Sequence, residues 1–321
     1  MILKLFAKLE KMFHQLSLQV KMQLVRMRGV ITPKSITLTR SSSIQQKNAT
    51  LKTQYTKPVI PLMLVKLGDL KSMSLTLYND DMFNVLGKLE PKSVDLLLTD
   101  FPYGTLNKSR NQWDVIIDYE KFWKHIDIIC KPNAAIISTA SQPFTSFLIS
   151  SNYNMFKYCL VWEKSKSTGY LNAKKQPLRA HEDIVVFYKK QPIYNPQMSK
   201  GDPYDKGKAV RDATQYGSQK KAVHVKNEDG TRYPRSVLYF KTAEFEGKLH
   251  PTQKPIALYD YLIKTYSNEN DTVLDPCMGS GTTGIAAINN QRNFIGIERD
   301  KSFFETAKQR FDNINVNTLP I

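Results

Sequence analysis

The stretch that most restricts the fold of this 321-residue chain is "TVLDPCMGSGTTGIAAINN", residues 272 to 290. A short apolar run, Thr272 to Leu274, ends in Asp275. Gly279, Gly281 and Gly284 follow in G-x-G-x-x-G spacing, and a helix-forming segment comes next. Glycine in such a turn tolerates unusual backbone angles and lets the main chain approach a ligand at a helix N-terminus. The next apolar run, "NFIGIE", ends in Glu298, about twenty residues on, where a carboxylate can accept from ribose hydroxyls. No Lys follows the last glycine, so the loop is not of the phosphate-binding Walker kind. Strand, glycine turn, helix and strand in this order demand a βαβ unit.

The same alternation runs through most of the chain. "MSLTLYNDDMFNVLGKLEPKSVDLLLTD", from Met73, reads as strand, acidic turn, helix, loop, strand. "DYEKFWKHIDIICK" predicts an amphipathic helix, "NAAIISTA" a buried strand, and "PFTSFLISSN" a helix starting at Pro143. "FKYCLVWEK" and "HEDIVVFYKK" predict strands, and "PIALYDYLIKTYS" and "KSFFETAKQRFDN" predict helices. The fold class expected is therefore α/β, with a sheet covered on both faces. Between 191 and 245 periodicity lapses, and Lys, Arg, Tyr, Gln, Asn, Gly and Pro dominate. Such a mixture suits phosphate contact, base-edge hydrogen bonding and stacking.

Charge separates the N-terminal part from the rest. The net charge is +17, yet residues 1 to 72 hold thirteen Lys or Arg against Glu10 and Asp69, a net +11 that leaves +6 elsewhere. A basic balance favours polyanions as partners. Residues 1 to 30 show apolar side chains at helical spacing among lysines, suited to an anionic surface or to organellar targeting. Residues 31 to 58 read as polar linker, and Met63 or Met73 is the expected functional start. No apolar run is long enough to span a bilayer. Cys130, Cys159 and Cys277 stand too far apart for a metal or disulfide framework, which suits a reducing cytoplasm.

The glycine spacing alone leaves a nicotinamide dinucleotide and S-adenosylmethionine both open as cofactors. Two features favour the second. Asp275 precedes the glycines, where its charge would repel a pyrophosphate but suit the ammonium of a methionine moiety. Upstream, "HPTQKP" (residues 250 to 255) precedes a helix, with Lys254 available to a carboxylate and Thr252 to cap the helix.

A second constellation closes an apolar strand: "VDLLLTDFPYGT", residues 94 to 105. Taken in order, "TDFPYGT", "HPTQKP", "DPCMGSGTT" and "FIGIE" resemble the amino-methylating DNA methyltransferases of the β arrangement, phage and prophage-type adenine-N6 enzymes above all. The resemblance covers about residues 73 to 315. It implies a three-layer αβα sandwich with a mostly parallel, doubly wound, Rossmann-like sheet and a circularly permuted motif order. It also implies 1–72 as a basic extension, 73–190 as the catalytic half, 191–245 as a target-recognition insertion and 246–321 as the cofactor-binding half.

The resemblance assigns catalysis to Asp100, Phe101, Pro102 and Tyr103. An exocyclic amine is a poor nucleophile because its lone pair is delocalised into the ring. The Asp100 carboxylate and the backbone C=O of Phe101 would hold its two N–H groups, while Tyr103 stacks on the extruded base. No metal or covalent cysteine intermediate is required. Thr252, Lys254, Asp275, Gly279, Ser280, Gly281, Thr282, Thr283 and Glu298 are expected around S-adenosylmethionine, and Lys220, Lys221, Arg232 and Arg235 on double-stranded DNA. A restriction nuclease and a second copy of the chain are further partners the resemblance allows, in a cytoplasmic, nucleoid-associated setting. Phe101 departs from the family's Asp-Pro-Pro-Tyr, losing a locked φ and bringing a bulky ring to be fitted beside the cofactor. Cytosine-N4 methylation and a catalytically impaired DNA-binding relative stay open as alternatives.

Overall fold

Apolar runs become the strands of one eight-stranded sheet, and amphipathic segments become helices on its two faces. The computed structural model describes residues 73–105, 113–209, 223–245 and 253–317, all within the compact unit Leu67–Ile321. The expected N-terminal helix and linker, Met63, Lys220, Lys221 and Thr252 lie outside the described residues.

The first half of the domain contains β1 (Leu75–Tyr78), α1 (Met82–Leu86), β2 (Val94–Thr99), α2 (Tyr119–Ile129), β3 (Cys130–Ala140), α3 (Phe144–Ser151), β4 (Phe156–Thr168) and β5 (Arg179–Phe187). Short strands follow: β6 (Ser199–Lys200), β7 (Tyr204–Ala209), β8 (Val223–Asn227), β9 (Thr231–Arg232) and β10 (Val237–Phe240). The chain then forms α4 (Ile256–Tyr266), β11 (Thr272–Asp275), α5 (Thr282–Asn289), β12 (Asn293–Ile297) and α6 (Lys301–Asn317).

The strand order is β1-β12-β11-β2-β3-β5-β4-β10, parallel throughout except where β5 pairs with β3 and β4. Side chains alternate between faces along each strand. Leu97, Ile136 and Val185 therefore pack with α1, α2 and α3, while Leu96, Leu98, Ile137 and Ile184 pack with α4, α5 and α6. Burial on both faces is why these strands read as continuous apolar runs. The third glycine of the loop serves this packing: a Cβ on Gly284 would lie 2.5 Å from the Phe311 ring and 2.6 Å from that of Phe294.

At the centre, β2 and β11 lie side by side, Leu96 opposite Val273 and Leu97 opposite Leu274. From β2 the chain crosses through α2 to β3 on one side, and from β11 through α5 to β12 on the other. Crossovers that diverge from neighbouring parallel strands leave a crevice at the strands' carboxyl ends. Both Asp100 and Asp275 stand there.

The aperiodic segment holds more structure than its pattern predicts. Two antiparallel ladders form, β6 with β9 and β7 with β8, and β10 joins the large sheet parallel to β4. Ladders this short, with exposed faces, need no apolar alternation to exist. Helix α4 has Pro255 at its N-cap position, and the cap expected from Thr252 lies outside the described residues. No described helix is long and apolar enough to cross a membrane.

Candidate active site

Asp100 follows the last residue of β2 and is held from three sides. Its Oδ1 accepts from the Tyr103 hydroxyl (2.7 Å) and from Thr139 Oγ1 (2.5 Å) at the end of β3, and its Oδ2 from Lys254 Nζ (2.5 Å). An ionised carboxylate offers about four lone-pair positions, so roughly one, on Oδ2, is left for a ligand. Lys254 is only 8% exposed, and Glu182 Oε2 lies 3.5 Å from its ammonium. Burial pulls that ammonium towards neutrality, but Asp100 and Glu182 outweigh it and its pKa rises above the ordinary lysine value. Lys164 Nζ, 3.3 Å from Glu182 Oε1, completes an alternating row of charges.

The rest of the tetrad is fixed by aromatic packing. Phe101 is 2% exposed, its ring edge-on to Tyr119 (centroids 5.5 Å apart) and Phe122 (5.0 Å). The α2 layer offers the ring apolar burial, and the side chain takes it, while the residue still borders the cleft. Tyr103 stacks on Phe144 at 4.8 Å and 18°. Burial, followed by the Asp100 charge, pushes its phenol well above the ordinary value, so the hydroxyl remains a donor. Gly104 closes the turn at φ 66°, its N–H donating to buried Asp114 Oδ1 (2.8 Å).

Asp275, at the tip of β11, is buried with most of its acceptor capacity engaged. Thr99 Oγ1 (2.6 Å) and the Cys277 N–H (3.0 Å) donate to Oδ1, and Thr283 Oγ1 (2.5 Å) to Oδ2. Burial pushes its carboxyl up to about 7, against the restraining effect of those donors. The carboxylate thereby ties the end of β11 to the end of β2 and to the first turn of α5. Gly279 and Gly281 adopt φ of 52° and 80°, which side chains rarely tolerate. Glu298 accepts from the N–H groups of Gly279 (2.9 Å) and Asp300 (2.7 Å), and burial raises its pKa. Behind the loop, Arg310 of α6 donates to the Ser280 carbonyl (2.6 Å). The thiol of Cys277 is pushed well up by burial and by Asp275 and Glu298, leaving it protonated.

One cleft of about 1350 Å³ is lined by both groups, among them Asp100, Tyr103, Lys254, Asp275, Gly279 and Glu298. That is more than the ~300–1,000 Å³ of a single small-molecule pocket, and so leaves room for a nucleoside cofactor and a base together. Phe101, Pro102, Ser280, Thr282 and Thr283 also line it. The structure places Lys254 on Asp100, so its charge is committed to the tetrad. Arg232 braces the small ladders, donating to Asn227 Oδ1 (2.8 Å) and to the Asp202 carbonyl and covering the Tyr204 ring at 4.7 Å. Arg235 is exposed. Sequence reasoning missed Glu182, Lys164, Thr139 and Arg310. Glu182 had a faint signal, an acid just ahead of the apolar run of β5, whereas nothing in the last helix distinguishes Arg310.

A family model described as DNA methylase matches residues 94–309. Type II methyltransferase M2.LlaDCHI of Lactococcus lactis subsp. cremoris is 28% identical over 264 residues, covering 74% of this chain and 88% of that one. DNA adenine methyltransferase YhdJ of Escherichia coli (strain K12) is 29% identical over 257 residues, 74% of this chain and 82% of its own. Among solved structures, the M1.HpyAVI–SAM complex superposes with a TM-score of 0.52 at 26% identity, covering 74% of this chain and 99% of that one.

Proposed function

The chain belongs to the DNA methylase family, and on that premise we propose that it transfers a methyl group from S-adenosylmethionine to the exocyclic N6 of adenine within a short DNA sequence. The observation that carries this reading is the adjacency of the two motifs. Asp100 and the glycine loop open into one cleft, and the residue before Asp100 hydrogen-bonds to the acid before the loop.

The residues present fit the cofactor. Gly279 keeps the loop free of a side chain where it lines the cleft, and each Glu298 oxygen retains a lone pair for a ribose hydroxyl beyond the backbone donor it already holds. Asp275, once deprotonated, would supply negative charge to the methionine ammonium, with Oδ2 its less engaged oxygen. When bound, S-adenosylmethionine supplies an electrophilic methyl group on a sulfonium.

The chain's own work is to bind and orient the base. Oδ2 of Asp100 accepts a hydrogen bond from one N6 N–H while Lys254 holds the carboxylate in place. The C=O of Phe101 accepts the other, its position set by the ring buried between Tyr119 and Phe122 rather than by a proline. Tyr103, stacked on Phe144 and with Lys254 Nζ 5.6 Å from its ring centroid, is the aromatic side chain of the tetrad against which the extruded base would pack. With both N–H groups held, the nitrogen lone pair would be freed from the ring to act as nucleophile, and the rate would follow from positioning. Arg235 and the lysines of the insertion contribute phosphate contact, with Arg232 keeping the insertion in shape. Similarity to Type II enzymes supports a nuclease of matched specificity as partner, in the cytoplasm.

The test is incubation of the purified chain with labelled S-adenosylmethionine and plasmid DNA, followed by nucleoside mass spectrometry and modified-base sequencing. N6-methyladenine at one short sequence is the expected product. N4-methylcytosine would move the chain to the cytosine class, and bound cofactor without incorporation would mark it as catalytically impaired.

A further inference from the structure

Beyond the cleft, β4 and β5 continue as a hairpin whose tip is unlike the rest of the surface. Tyr170 is 83% exposed and Leu171 97%, the largest exposure of any large apolar side chain among the described residues. Every residue from Tyr170 to His181 is exposed. The tip is nonetheless folded: Gly169 turns the chain at φ 92°, and the N–H groups of Asn172, Ala173 and Lys175 donate to the carbonyls of Gly169, Tyr170 and Asn172. Two apolar side chains are thus held out into water by an ordered turn, where each costs solvation free energy and contributes nothing to the core.

Position and charge say what the tip meets. β4 runs parallel to β10, and its C-terminal part reaches the catalytic cleft, which Lys164 and Thr168 of β4 and Glu182 of β5 line. Leu171 is three residues beyond Thr168, within about 10 Å of chain. From Lys164 to His181 there are five Lys or Arg and no acid. A second copy of this chain would bring like charges together at such a tip, whereas a nucleic-acid backbone would be attracted.

We propose that Tyr170 and Leu171 form a wedge that enters the duplex beside the target base and occupies the space left when that base is extruded, with Lys174, Lys175 and Arg179 gripping the flanking phosphates. The proposal rests on the reading of this cleft as a DNA methyltransferase site. Apolar wedges inserted between base steps offset unstacking in this manner, and extrusion has a cost that a ready plug recovers.

The experiment uses a duplex carrying the sequence that wild-type chain modifies, with the target adenine either paired with thymine or facing an abasic position. Leu171→Ala and Tyr170→Ala are expected to lower kcat/KM on the paired duplex by about tenfold or more. The abasic duplex, already open, should restore most of the rate, and Leu171→Met should stay near wild type on both. Equal losses on the two duplexes, no loss on either, or a change of oligomeric state in Leu171→Ala without DNA would overturn the wedge. Failure of the wild-type chain to methylate any DNA would instead overturn the reading beneath it, and this would be visible before any variant is made.

Discussion

Three protein donors already hold the Asp100 carboxylate, so a substitution there can change charge while nearly preserving shape. Asp100→Asn is expected to cut single-turnover methyl transfer by about a hundredfold or more, the scale of losing one preorganised polar partner. Cofactor affinity, measured by calorimetry, should change little. Phe101 behaves differently because its ring is core. Phe101→Ala should cost about 3–5 kcal/mol, and Phe101→Pro should also lower the melting temperature, although proline is the family's usual residue. A Phe101→Pro variant as stable as wild type would remove the anchoring role given to the ring. Asp275 carries a pH signature. Folded, it keeps its proton up to about pH 7, whereas its reference carboxyl value is 3.8. Its contribution to stability is therefore fully present below about pH 4 and lost as pH rises through about 7. Asp275→Asn should flatten that part of the profile in thermal unfolding. For wild type, binding of the cationic cofactor should release protons near neutrality and tighten as pH rises through that range.

At the scale of elements, the unit from β11 through the glycine loop to α5 was the most legible part of the chain. Its spacing predicted the strand, the turn, the helix and the acid that ends β12. What the spacing hid was the division of labour among the glycines. Gly279 lines the cleft with left-handed backbone, while Gly281 and Gly284 let the turn and α5 close on Phe311. Gly284→Ala should accordingly destabilise the protein by about 1–3 kcal/mol through overpacking, measured by denaturant titration. The fraction that still folds should bind cofactor normally. Loss of cofactor affinity without loss of stability would reverse this assignment. The segment from 191 to 245 was illegible for a physical reason. Its ladders bury too little apolar surface to impose a period, and β10 is four residues long with only Leu238 buried.

For the whole molecule, every described residue of the cleft lies within the unit Leu67–Ile321, while much of the positive charge precedes it. Removal of residues 1–66 should leave kcat unchanged and make DNA affinity fall less steeply with salt, because fewer counterions are released. Fluorescence anisotropy at several salt concentrations measures that slope. A collapse of kcat would place part of the site in the extension. Local pattern was enough to establish a layered α/β chain and to put acids at two strand tips, since period and turn chemistry are written by near neighbours along the backbone. Sheet order was needed for the rest. Thr99 meets Asp275 across 176 positions, and Lys254 meets Asp100 across 154. Lys254 read as a ligand for a cofactor carboxylate until folding placed it against a protein one. The partner of a buried charge is chosen by which strands lie side by side, and crossover connections settle that only when the whole sheet has formed.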